Sequence, residues 1–592
     1  MHETVERLHP IALLESFSGG EFSRSYLFED LETIVQAHTT DQVMAVFREV
    51  EQAVSRGRHA AGYVAYEAAG GLNPELPRGT CGDQPLIWFG IFRTRRPCDA
   101  TTGAETNDGQ TASPPELEIS RQEYARALEK IREHIARGET YQVNFTTRQR
   151  FRVRGDQFAL YRRLCRNQRA PFCAWLDTGS HRIISASPEL FFSLKDRLLT
   201  MKPMKGTAPR HPLADDDQRR REELAASPKE RAENLMIVDL VRNDLSRIAD
   251  IGSVAVPALF QVESYPTVHQ MTSTVTARLK PEARLVDIFQ ALFPCGSVTG
   301  APKRRTMEII HDLERSPRGA YCGAIGFVSP GGEATFSVAI RTAIVESTTG
   351  LGVMGIGSGI TWDSNPEAEF RECLDKSAFL TGHAMDFGLI ESLRWDAQGY
   401  LLLERHLKRL EQSAARFGYP FSRRELLDRL VELERSLTGV HKVRVLLTSA
   451  GDLMLEQQEI DDTAAERPTL LVALASQRSD PSDPLLYHKT TRRSRYDNEL
   501  QARPECAEVI LLNQRGELTE GCTTNLVLQR GEELLTPALH CGLLPGTLRE
   551  ELLQLGALRE AILTPIDLET CDAFWLINSV RGWKKGQLLK NC

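Results

Sequence analysis

Apolar and polar positions follow two rhythms along the chain. Over Arg121 to Arg137, Tyr124, Leu128, Ile131 and Ile135 recur three or four apart, which predicts an amphipathic helix. The compact run Leu86-Ile-Trp-Phe-Gly-Ile-Phe92 predicts a buried strand. Gly323–Val328 and Ala334–Val345 read as the two strands of a hairpin around Ser329-Pro-Gly-Gly-Glu333. In the second strand Phe336, Val338 and Ile340 share one face, and Ser337, Ala339 and Arg341 the other. Two polar, Pro-containing stretches interrupt these patterns. Residues 97–115 read as a surface loop or linker, and residues 475–484 (ASQRSDPSDP) as a second linker. A helical pattern ends near Gly382-His-Ala-Met-Asp386, and a new alternation of strand and helix begins beyond it.

At 592 residues the chain exceeds what one core can organise, so at least two functional units are expected. A net charge of -8 argues against nucleic acid as a partner, because phosphate binding needs a basic surface. The 12 cysteines contain no CxxC pair, which suits reduced thiols better than disulfides or zinc. The opening residues have neither the basic start nor the apolar stretch of a signal peptide, and no apolar run is long enough to span a bilayer. A cytoplasmic protein without membrane contact is the expectation.

Two acidic helices carry candidate chemistry. Ser227-Pro-Lys-Glu230 has the cap serine, first-turn proline and third-position glutamate of a capping box, with Glu233 one turn on. A second helix starting at Ser364-Asn365-Pro366 puts Glu369, Glu372 and Lys376 on one face. Each cluster alone is more often a solvated helix face than a site. Together, two ExxE pairs suit a hard cation such as Mg²⁺, which takes carboxylate oxygens and keeps water and substrate oxygens in its shell. Arg341, between small residues, suits a carboxylate clamp or else a surface ion pair.

Six motifs in order give the first half a family resemblance. They are Gln142-Val-Asn144, Ser187-Pro-Glu189, Pro203-Met-Lys-Gly-Thr207, Glu233 to Asp244 (ENLMIVDLVRND), Gly296-Ser-Val-Thr-Gly-Ala-Pro-Lys303 and Gly357-Ser-Gly359. Residues 1–380 resemble the chorismate-using enzymes, among them anthranilate synthase, aminodeoxychorismate synthase and isochorismate synthase. The resemblance implies an α/β sandwich like that of anthranilate synthase component I, with chorismate at its centre. It implies Glu233 and Glu372 as Mg²⁺ ligands with Glu230 and Glu369 beside them, and Glu189 as general acid for loss of the C4 hydroxyl. Gly206, Thr207, Tyr321, Arg341, Gly357 and Lys376 would contact the substrate, with His269 near the ring. Gln142 stands where the water-adding members have a lysine base. Lys205 stands where aminodeoxychorismate synthases have lysine and anthranilate synthases alanine, and it would attack C2 before ammonia adds at C4. No Gly-x-Cys-x-Gly turn is present, so ammonia is expected from a separate glutamine amidotransferase subunit or from solution.

Residues 386–592 resemble the fold-type IV pyridoxal-phosphate enzymes, a two-lobed fold. The motifs are Glu404-Arg-His-Leu-Lys-Arg-Leu410, His488-Lys-Thr490, Glu520-Gly-Cys-Thr-Thr-Asn525, Leu544-Pro-Gly-Thr-Leu-Arg549 and Asn578-Ser-Val-Arg-Gly582. The resemblance implies pyridoxal 5'-phosphate on Lys489 and Glu520 at its pyridine nitrogen. Arg409, Thr547, the Leu548 amide and Ser579 would take the phosphate, with Tyr496 a further contact; Lys442 and Lys408 stand in contexts unsuited to the cofactor link. A homodimer through this half is compatible with it. The chain as a whole, an α+β and α/β multidomain protein, is then expected to make p-aminobenzoate for folate. It would aminate chorismate and then eliminate pyruvate. Two alternatives stay open: an anthranilate synthase joined to an amino-acid aminotransferase, and a non-catalytic chorismate- or tryptophan-binding first half.

Overall fold

The computed structural model describes residues 9–17, 24–99, 111–265, 268–381, 387–460 and 469–589. The junction expected at Gly382–Asp386 lies outside them, as do residues 100–110 of the expected loop. The described residues gather into two compact units. One takes the chain as far as residue 385 apart from 210–220, and the other takes the remainder together with 210–220.

In the first unit nineteen strands share one hydrogen-bonded network among the described residues. Helices Val43–Ser55 and Leu285–Leu292 pack Phe47 and Phe289 into a core with Phe89 and Phe336 from the strands. Helices Arg121–Ala136 and Gln157–Gln168 supply a second core, where Tyr124, Leu128, Ile131 and Leu160 meet Phe145 and Ile356. Each such large apolar side chain contributes about 1.5–3 kcal/mol on burial. The Arg121–Ala136 helix starts where its sequence says it should: Ser120 and Glu123 form a complete capping box.

The expected strand Ala334–Val345 is two strands, Glu333–Val338 and Thr342–Glu346. The break falls at Arg341, whose φ of 50° lies in the left-handed region and cannot continue a pleat. The first piece pairs with Ala324–Ser329 and Leu190–Lys195, the second with His181–Ser187 and Leu351–Ile360. The alternation expected across residues 339–341 therefore does not hold.

The second unit has a four-stranded sheet, with Leu389–Asp396 between Gly399–Tyr400 and His441–Leu447, and an eight-stranded sheet. Helix Leu403–Phe417 buries His406, Leu407, Arg409 and Leu410. The first half of the linker expected at 475–484 is strand, since Leu470–Ser479 pairs in parallel with Glu508–Asn513. Its ladder is irregular between Leu474 and Arg478. There the Glu499 carboxylate accepts the N–H groups of Ser476 and Gln477 at 3.2 and 2.9 Å. A buried side chain thus satisfies backbone that the polar sequence suggested was solvated. No helix among the described residues is long and apolar enough to cross a membrane.

Candidate active sites

Strands Gln142–Arg154 and Leu351–Ile360 pair with Asn144 opposite Gly359 and Thr146 opposite Gly357. They floor a cavity of about 270 Å³ that also takes residues from Met204–Pro209 and from helices Pro228–Ser246 and Pro366–Thr381. Lys205 enters over the floor. A Cβ built on Gly359 would stand 2.5 Å from Lys205 Nζ and 2.3 Å from Gln142 Nε2, so amine and amide converge on a position only glycine leaves open. Burial pushes the Lys205 ammonium below its ordinary value, with Glu233 the foremost charge opposing this.

Glu189 lies across the cavity. Burial pushes its carboxyl up to about 7 against hydrogen bonds from Ser297 and the Met204 backbone. Its Oε1 is buried without a hydrogen-bond partner among the described residues. Arg341 is no surface ion pair. Burial pushes its guanidinium down, the Tyr265 hydroxyl offsets this in part, and no carboxylate among the described residues neutralises it. Tyr321 stacks where a Cβ on Gly355 would collide with its ring. Lys376 Nζ donates to the Gly357 carbonyl at 3.0 Å and pairs with Glu372 at 2.6 Å. Gly206, with φ 97°, presses against Glu230; Gln270 donates to the Gly206 carbonyl and accepts from Thr207.

Glu230, Glu233, Glu369 and Glu372 all line this cavity. The capping box expected at Ser227 is only half formed. Ser227 Oγ accepts the Glu230 N–H, but the Ser227 N–H goes to the Leu224 carbonyl, leaving the Glu230 carboxylate for the cavity. That carboxyl is pushed up by burial and then by its neighbours Glu233 and Glu372. Among the described residues no group of three His, Cys, Asp or Glu side chains is placed to hold a metal ion by itself. Facing carboxylates that repel one another fit an ion that keeps water and substrate oxygens in its shell, as Mg²⁺ does. His269 is not brought in. It is 1% exposed, its Nδ1 meets Ser264 Oγ at 2.9 Å, and its strand neighbour Gln270 lines the cavity instead. Sequence reasoning missed Asn144, Ser297, Gln270 and Ser364; the first two sit inside quoted motifs.

The second unit holds a cavity of about 470 Å³. Burial pushes Lys489 down to about 8 and Glu520 up to about 7, and each lies in the other's field. Glu520 accepts from the Tyr496 hydroxyl at 2.9 Å and from the Leu544 N–H at 3.1 Å, which aims it into the cavity. Arg409 spends Nε and Nη2 on Glu391, at 2.8 and 2.7 Å, and Nη1 on the Pro545 carbonyl at 2.8 Å. Thr547 and Leu548 open helix Thr547–Gln554, whose cap residue Gly546 offers no side chain, so its first N–H groups are free for an anion. Ser579 lines the same wall. Lysine, buried acid and uncapped helix end fit pyridoxal phosphate, which needs a lysine link, a partner for its pyridine nitrogen and phosphate donors. Lys442 also lines the cavity with Arg444, whereas Lys408 is exposed. His406 and Glu391 were missed; their roles depend on partners far away in sequence.

Comparison with known proteins accords with both halves. The family model for chorismate binding enzymes matches residues 9–382, and that for amino-transferase class IV matches residues 388–585. The chain is 45% identical over 258 residues to aminodeoxychorismate synthase component 1 of Klebsiella aerogenes, spanning 44% of this chain and 57% of that protein. It is 41% identical over 259 residues to anthranilate synthase component 1 of Methanothermobacter thermautotrophicus, spanning 44% of this chain and 55% of that one. The chain thus spans little more than half the length of the curated relatives it matches. Anthranilate synthase component I from Streptococcus pneumoniae superposes with a TM-score of 0.54 at 26% identity, covering 60% of this chain and 92% of that one.

Proposed function

The chain belongs to the chorismate binding enzymes, and from that premise we propose that it makes p-aminobenzoate in two steps. Identity alone does not separate amination at C4 from anthranilate formation, since relatives of both kinds match comparably. The observation that carries the choice is Lys205, an amine pushed down by burial and seated at Gly359 opposite a carboxyl at about 7.

In the first step Arg341, Tyr321 and Lys376 hold the substrate carboxylates. Glu233 and Glu372 would hold Mg²⁺, with Glu230 and Glu369 beside it. Glu189 gives its proton to the C4 hydroxyl, which leaves as water while Lys205 Nζ bonds to C2. Ammonia then bonds to C4 and the Lys205–C2 bond breaks, giving 4-amino-4-deoxychorismate. Gln142, an amide, cannot act as the base that water addition would need. A separate glutamine amidotransferase subunit supplies the ammonia.

In the second step the cofactor, when bound, supplies an electron sink for the charge left at C4. Lys489 Nζ takes the C4 proton. Glu520, held by Tyr496 and Leu544, keeps a proton on the pyridine nitrogen. Lys442 and Arg444 are cations suited to a substrate with two carboxylates. Loss of pyruvate leaves the aromatic ring.

The test is the purified chain with chorismate and ammonium, products identified by mass. p-Aminobenzoate and pyruvate are expected, with glutamine effective only after an amidotransferase is added. Anthranilate as product would overturn the reading.

A further inference from the structure

Within the second unit, Leu389–Asp396 alternates Leu389, Glu391 and Leu393 toward the core. Glu391 is only 2% exposed. Helix Leu403–Phe417 answers it with His406 and Arg409, three apart on its buried face. Burial alone would push the Glu391 carboxyl up, but the Arg409 guanidinium, foremost, holds it down at about 2. It is therefore ionised and can only accept, so His406 Nδ1, 2.6 Å from Glu391 Oε2, carries a hydrogen.

The other ring nitrogen decides what the site can bind. His406 Nε2 lies 3.1 Å from Ser579 Oγ and 3.2 Å from Thr547 Oγ1, and both hydroxyls belong to the wall where the proposed reading puts a phosphate. A hydroxyl has one proton to give. If Nε2 is bare, a hydroxyl must spend that proton on the ring and turn lone pairs toward the cavity, which repels an anion. If Nε2 carries a proton, it donates to the hydroxyl oxygens and their own protons are free to point at the anion.

Resting on that reading, we propose that His406 is the positioning residue of the phosphate site, taking up a proton as the phosphate binds and thereby turning Thr547 and Ser579 into donors. Glu391 serves both halves of the device, since the same carboxylate grips the Arg409 fork. Binding and protonation favour one another by equal amounts, because linkage is reciprocal. The surrounding charges are Arg405 and Arg409 on the same helix, Glu391 on the strand and Glu550 and Glu551 on helix Thr547–Gln554. Arg581, Lys489 and Glu520 face in from the cavity. Arg405 is already matched by Glu551 at 2.6 Å.

The test uses the full chain freed of cofactor and titrated with pyridoxal phosphate, and separately with pyridoxal, which lacks the phosphate. Calorimetry at pH 8 in two buffers of different ionisation heat counts protons; there the phosphate ester is already a dianion, its second pKa being about 6. Lys489 and Glu520 respond to both ligands, so the difference between ligands isolates the phosphate site. The parent takes up more protons, approaching one, with pyridoxal phosphate than with pyridoxal. His406→Asn, which keeps an N–H for Glu391, loses that difference and binds pyridoxal phosphate about 10- to 100-fold more weakly, with pyridoxal unchanged. The Thr547→Ala/Ser579→Ala double variant leaves the Glu391 pairs intact and serves if His406→Asn does not fold. It too loses the extra proton, and adding His406→Asn to it weakens binding no further. Equal proton uptake for both ligands in the parent, or unchanged uptake in the double variant, overturns the inference. A chain that binds neither ligand overturns the reading of this half instead.

Discussion

Gly359→Ala separates the seat of Lys205 from the stability of the fold. The added Cβ would stand 2.5 Å from Lys205 Nζ, where ordinary contact begins at 3.4 Å, so the amine must retreat by about 0.9 Å. Both atoms it meets, Lys205 Nζ and Gln142 Nε2, end flexible side chains, so the fold yields cheaply. A displacement of about 1 Å at a reacting group costs about 10²-fold in rate, or about 2.7 kcal/mol of barrier. Amination of chorismate with ammonium should therefore fall about 100-fold in Gly359→Ala while chorismate still binds and the melting temperature barely moves. Gly357→Ala is the contrast: its Cβ would meet the Phe145 carbonyl at 2.3 Å, and backbone cannot step aside. That variant should lose stability as well as activity. The assay is initial rate of aminodeoxychorismate formation beside thermal unfolding of each variant. Parent-like amination by a folded Gly359→Ala would refute the placement of Lys205 as nucleophile.

Three further outcomes follow from the same geometry. Arg341→Met should raise KM for chorismate about 10- to 100-fold, because it removes a guanidinium that no carboxylate among the described residues neutralises; an unchanged KM would show that the substrate does not use it. Glu189 is raised to about 7, so its contribution to stability is full below the ordinary carboxylate value and is lost as pH rises through about 7. Glu189→Gln, which cannot ionise, should thus be more stable than the parent at pH 8, by about 3 kcal/mol at most, and no more stable near pH 4; equal unfolding free energies at pH 8 would contradict the raised value. Tyr496→Phe removes one of the groups holding Glu520 down, so Glu520 rises further and pyruvate release should slow about tenfold with amination untouched. Pyruvate release at the parent rate would take Tyr496 out of the site.

Local rules read well where the chain obeys them locally. Ser120 with Glu123, Ser227 with Pro228, and the apolar spacing from Tyr124 to Ile131 each place a helix start or face without reference to anything distant. The misreadings occur where something outside the segment being read overrides its pattern. Ser476 and Gln477 look like linker because the carboxylate that satisfies their backbone comes from Glu499. Glu230 looks like a capping residue because nothing in Ser-Pro-Lys-Glu tells that the Ser227 N–H is already given to Leu224. Arg341 looks like mid-strand because a positive φ leaves no trace in composition. Glu391 was invisible for the same reason: an acid in a strand betrays its burial only when His406 and Arg409 fold over it. The motif order located Lys205, Glu189, Lys489 and Glu520, while His269 shows that motif membership does not decide which way a side chain faces.

The strand Gln142–Arg154 is at once floor and frame. Its first residues alternate Gln142 and Asn144, on the side of Lys205 and the cavity, with Val143 and Phe145, which are sealed in the core beneath. The same strand is clamped in register by Leu351–Ile360 on one side and Gly300–Ala301 on the other. A slip of one position would exchange the two sets, putting valine against the reacting ring and an amide into the core. Lineages that change the chemistry of this pocket are thereby confined to substitution at alternate positions. Insertion and deletion, the usual freedom of active-site loops, are closed to them here.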